Sequence, residues 1–183
     1  MDEKNYYKQI INAYINQNAH KDISFCLSDD ILHDDFGKYI CAMANTAIIK
    51  QEPYVYAFWG IDSNKKINGS SFVAPEAQDL SRHLSSNVEF KVVEVYYDST
   101  RTIVLEVQRA SGSTIQYDGI EFVINENNQP EALSQNPQFA EKLWQIINSP
   151  NIIAQFFSFF LYFSKSPFPL AITIPPHSGG ILL

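Results

Sequence analysis

The chain has 183 residues, 45% of them hydrophobic, 18% charged and 14% aromatic, which suits one domain with a packed core and excludes a disordered chain. A formal net charge of −7 repels phosphate on average, so contact with nucleic acid would need a local basic patch. Cys26 and Cys41 are too few for a disulfide framework, and the polar opening MDEKNYYKQI does not read as a secretory signal, so a cytoplasmic protein with reduced thiols is expected.

Residues 2–17 read as an amphipathic helix, with Tyr7, Ile10, Ile11, Tyr14 and Ile15 on one face. Asp2 and Glu3 stand in its first turn, where the helix dipole favours acids. Residues 22–27 (DISFCL) alternate and predict a strand. A second helix is expected over about 33–49, with the apolar stripe Phe36, Ile40, Met43, Ala44 and Ala47. After the breaker QEP, residues 54–61 (YVYAFWGI) form a β-rich run ending at Asp62. The segment DSNKKINGS has turn chemistry and predicts a hairpin returning to a short strand near Ile67.

Residues 75–86, opened by Pro75, read as a third helix. Strands are expected over 88–97, 101–109 and 119–125, and a closing helix over 136–148. No internal repeat is visible. From Leu143 onward there are no acids, and Lys165 is the only basic side chain. The run 152–163 is nearly all apolar, and a Pro-rich stretch follows it. The apolar run is shorter than the ~20 residues of a membrane helix, so no membrane span is expected. A core or interface helix, an artificial or truncated end of a longer protein, and a membrane-associating tail are the three readings of this segment.

Three pieces of the chain carry a family resemblance. They are FGKYICAMANTA (36–47), YAFWGIDSNKKINGSSF (56–72) and IEFVINENNQPEALSQNPQFAEKLW (120–144). In this order and spacing they resemble the AlbA-like domain shared by Schlafen proteins and by bacterial regulators of DNA-binding or divergent AAA type. The resemblance covers about residues 20–147. It implies an α+β fold in which a mixed, mostly antiparallel sheet is flanked by helices. The expected organisation is an AlbA/Schlafen-like domain over 1–148, followed by an apolar helix and Pro-rich tail over 149–183.

In Schlafens the fold is associated with binding tRNA-like RNA, and in some members with cleaving it. Cleavage there uses two glutamates around an E-F-K strand and the aspartate of a Gly-x-Asp turn. Clustered acids of this kind hold a divalent metal that activates water and steadies charge on phosphorus. Carried onto this chain, Asp62 matches the aspartate, Ser24 stands at the second glutamate and the first falls near Ala19. The arginine often found in the last strand falls at Ile124. A hydroxyl and a methyl cannot replace two anions around a hard cation. Asp22, two residues before Ser24 and on the same strand face, could pair with Asp62 as a smaller acidic site. Otherwise Asp62 caps the hairpin turn.

Other candidates have plainer readings. The run DDILHDD (29–35) matches no calcium loop and reads as a solvated helix start. The cysteines lack zinc spacing and read as small buried residues. His20, His33, His83 and His177 are scattered, and no phosphate-cradling loop is present.

A nucleic-acid surface would be built from Lys65 and Lys66, with Lys38, Lys50 and Arg82 adjoining. Tyr54, Tyr56 and Trp59 would stack bases if exposed. The expected function is therefore a DNA- or RNA-binding regulatory module of the Schlafen type with a degenerate nuclease site. It has no metal site and no cofactor. The alternatives are a protein-interaction module, self-associating through the apolar C-terminal segment, and a divergent ribonuclease using magnesium or manganese.

Overall fold

A computed structural model describes residues 2–16, 23–31 and 33–148. The expectations for Asp22 and for 149–183 fall outside the described residues.

Helix α1 (Glu3–Ile15) buries Tyr7, Ile10, Ile11 and Tyr14, the one-face spacing of an amphipathic helix. That face lies on a four-stranded sheet of order β1-β2-β4-β3. Strand β1 (Ser24–Cys26) runs parallel to β2 (Tyr54–Trp59), with Ser24 opposite Tyr56 and Cys26 opposite Phe58. Strands β3 (Phe90–Tyr97) and β4 (Thr100–Gln108) complete it by antiparallel pairing. The alternation of β2 divides its aromatics. Tyr56 and Phe58 meet α1 through Tyr6 and Tyr14, while Trp59 meets Phe36 on the other side.

A parallel pair needs a crossover, and α2 (His33–Lys50) supplies it. From Phe36 to Ile49 this helix is buried almost all round. It lies between the first sheet and a three-stranded sheet of β5 (Gln116–Tyr117), β6 (Ile120–Ile124) and β7 (Pro130–Ala132). Gly37 allows that approach, because a Cβ there would lie 2.1 Å from the Tyr117 ring. Asn45, fully buried, joins the layers. Its Nδ2 donates to the Ile115 and Phe122 carbonyls at 2.9 Å each, and its Oδ1 accepts from the Ile115 amide at 2.8 Å. Thr46 Oγ1 accepts from the Ile124 amide at 2.9 Å.

After α3 (Ala77–Leu80) and the strands comes α4 (Pro137–Ile147). Asn136 caps it by accepting from the Phe139 amide, and Pro137 opens it where its missing N–H costs nothing. Its Leu143 closes a small cluster with Ile48, Ile49, Val123 and Leu133.

The α+β architecture agrees with the sequence reading, with corrections in detail. The third helix, expected over 75–86, is one turn. Leu84 leaves it to bridge Tyr117, and the Ser85 amide donates to the Gln116 carbonyl. The return near Ile67 is a single bridge to Ile61. The Ala44-Asn45-Thr46 motif lies inside α2, where its polar side chains reach backbone groups of Ile115 and of Ile124 in β6.

Candidate nucleic-acid interface

The candidate site is built where β1 and β2 end. Past Trp59 the chain turns at Gly60, whose φ of 82° and whose approach to Gly69 (2.8 Å from a built Cβ) suit glycine. Asp62 then organises the turn. Its amide donates to the Lys66 carbonyl and its carbonyl accepts from the Lys65 amide, each at 2.9 Å. Its carboxylate accepts from the Lys66 amide and from Asn68 Nδ2, each at 2.9 Å. The Lys66 amide, with help from Asn68, holds this carboxyl below its ordinary range. Both oxygens are thus occupied within the turn. Lys65 takes a left-handed φ of 65°, and Lys66 is exposed.

Beneath the turn sits a cluster that sequence reasoning missed. Cys26 donates to the Asp62 carbonyl at 3.6 Å, and its sulfur is 3.0 Å from the Tyr14 hydroxyl. Lys65 Nζ lies 3.2 Å from the Tyr14 ring centroid. Burial raises the Cys26 and Tyr14 pKa values. Cys26 is therefore half-buried and hydrogen-bonded rather than an inert core thiol, whereas Cys41 is fully buried and pushed up to about 11 by burial. Alternation in SFC puts Ser24 and Cys26 on one face of β1, but nothing local in the sequence places Tyr14 over Cys26. Ser24 is buried, and its hydroxyl has no hydrogen-bond partner among the described residues.

The expected nucleic-acid residues divide. Lys65 and Lys66 share the Asp62 turn. Lys38 stands on α2 and pairs with Asp35 at 2.8 Å. Arg82 is exposed after α3, beside His83, whose ring bonds Asp118 at 2.7 Å. Trp59 corrects the expectation of a stacking surface. It is fully buried, lies flat on Phe72 at 4.2 Å and donates its Nε1–H to the Ser28 carbonyl. Tyr56 is buried too, and Tyr54 is half-buried. Aromatics here build the core because every second β2 side chain faces α1 and the others face α2.

Two further features bear on function. Glu106 is buried under α1, hydrogen-bonded by the Tyr7 and Tyr56 hydroxyls, and burial raises its pKa. It was visible as the lone acid in the apolar run TIVLEV. A cleft of about 570 Å³ opens beside Cys26, between the start of α2 and the β6–β7 turn. Among the described residues no three acids, histidines or cysteines cluster to hold a metal, and no helix is long and apolar enough to cross a membrane.

A family model described as Schlafen, AlbA_2 matches residues 7–134, well over half of the chain. No curated protein matches. Among solved structures the chain is similar to the DIP2311 protein from Corynebacterium diphtheriae, at 12% identity and a TM-score of 0.44. That alignment covers 69% of this chain and 27% of the other, so this chain spans about a quarter of that protein.

Proposed function

The chain belongs to the Schlafen AlbA_2 family, and from that membership and the geometry of the Asp62 turn we propose that it is a nucleic-acid-binding regulatory module with a degenerate nuclease centre. It acts in the cytoplasm on DNA or RNA. The observation that carries this reading is the state of Asp62. Its carboxylate is satisfied by the Lys66 amide and by Asn68, and the strand beside it offers a buried Ser24 where the second acid would stand. Such a carboxylate caps a turn, and among the described residues a hard cation would find no cluster of three anions there. The turn instead presents Lys66 to solvent beside Lys65, and ammonium groups meet phosphate as point charges.

A second reading, a protein-interaction module, is favoured by one observation. Trp144 on α4 and Ile120 on β6 remain 67% and 49% exposed.

Fluorescence anisotropy with labelled single-stranded RNA, tRNA and duplex DNA tests the proposal, with the same samples run on a gel after addition of magnesium or manganese. Binding without cleavage is expected. Metal-dependent cleavage that Asp62→Asn abolishes would overturn the degenerate-centre reading. Absence of binding to every probe would leave the interaction module.

A further inference from the structure

The cleft lies at the carboxyl end of β1 and the amino end of α2, the position at which open α/β layers hold their ligands. Its volume of about 570 Å³ is that of a small-molecule site. The apolar side is Leu27, Ile31, Phe122 and Pro130. Tyr39 ties its two banks together, donating from α2 to Gln129 Oε1 on the β6–β7 turn at 2.8 Å. With Oε1 so used, the Gln129 amide group keeps its N–H donors. The lining also includes Asp30, an exposed residue that makes no hydrogen bond or ion pair among the described residues and whose charge reaches Tyr39. Among the described residues the lining holds one ammonium, Lys38, and it is paired with Asp35.

Two carboxylates against one paired ammonium exclude phosphate from this cleft. Yet the cleft adjoins the basic turn. Cys26 lines it and also bonds both the Asp62 carbonyl and Tyr14, on whose ring Lys65 sits. A strand whose phosphates run over the lysines can therefore place only a base in the cleft. Single-stranded recognition works this way, with a splayed base read on its Watson–Crick edge.

Resting on the nucleic-acid reading above, we propose that the cleft is a base-specificity pocket that takes one unstacked guanine from a single strand, read by Asp30. Guanine alone among the common bases offers two adjacent donors, N1–H and the N2 amino group, on that edge. A carboxylate accepts both at once, and the Gln129 amide donor suits the O6 acceptor. Adenine and cytosine would turn a ring nitrogen acceptor toward the same carboxylate.

The test is anisotropy with short labelled oligouridines that differ at one central position: guanine, inosine, adenine or uracil. Guanine should bind about tenfold more tightly than adenine or uracil, within the range that one bidentate contact supplies. Inosine, lacking the N2 amino group, should fall between. Asp30→Asn should bring guanine to within about twofold of uracil while leaving uracil affinity and its salt dependence unchanged. Equal binding of all four oligomers, or a guanine preference that survives Asp30→Asn, overturns the pocket and leaves the nucleic-acid reading intact. Failure of every oligomer and of tRNA to bind removes both. The base series on the unaltered protein is decisive even if the variant is poorly behaved.

Discussion

Replacing Asn45 by alanine should destabilise the domain by about 3 kcal/mol, at roughly 1 kcal/mol for each hydrogen bond lost. The side chain is fully buried and makes three bonds to the backbone, two to Ile115 just before β5 and one to Phe122 in β6, at 2.8 to 2.9 Å. Alanine removes all three. The Ile115 carbonyl keeps a contact from the Cys41 thiol at 3.2 Å, but the Ile115 amide loses its Asn45 acceptor. A loss of this size is a large fraction of the ~5–15 kcal/mol that holds a domain together. Thr46→Val is the graded control. It removes one acceptor, for the Ile124 amide, and should cost about 1–2 kcal/mol. Urea unfolding followed by the fluorescence of the buried Trp59 reads both, with the slope m unchanged if the compact states are preserved. A loss below about 1 kcal/mol for Asn45→Ala would refute the claim that this residue fastens the second sheet to α2.

Gly37→Ala would drive a methyl to 2.1 Å from the Tyr117 ring, so it should displace β5 and cost about 1–3 kcal/mol, read by the same unfolding assay. The pKa of Glu106 is raised by burial, so its contribution to stability is fully present below the ordinary value of about 4.3 and is lost as pH rises through the raised one. Glu106→Gln should remove that loss, and the Tm difference between variant and parent should shift in the variant's favour as pH rises above about 4.3; a constant difference would contradict the assignment. Asp62 behaves oppositely, its carboxyl being held down by the Lys66 amide. Its contribution to the turn is present above about 3.9 and lost as pH falls through the lower folded value, so the Lys66 amide resonance should titrate below about 3.9. Asp62→Asn should abolish that titration while leaving the urea midpoint of the domain nearly unchanged, as expected of a surface turn.

Long elements with a clear period were legible in the sequence. The α1 stripe, the three apolar strands and the capped α4 all follow from side-chain spacing. The second sheet was only partly legible, since β5 and β7 have two and three residues and β7 opens on Pro130. Strands that short carry no alternation to detect, and their pairing is set by tertiary contacts such as Leu84 with Tyr117. Trp59 shows the limit of composition. An aromatic beside a basic turn suggests stacking, but burial was decided by α2 covering that face of β2. The turn-capping role of Asp62 followed from local chemistry. The contacts of Cys26 with Tyr14 and Asp62 join residues 12 and 36 positions apart, which local spacing does not encode.

The most direct test of the account is a salt titration of nucleic-acid binding by the protein and by Lys66→Gln. Lys66 is exposed, and its amide, which Asp62 uses, is retained in the variant. Affinity should fall steeply between about 50 and 200 mM salt, and the variant should bind more weakly, with the slope of log K against log salt reduced by about one. Binding indifferent to salt, or a slope the substitution does not change, would contradict a phosphate-contacting surface at the Asp62 turn.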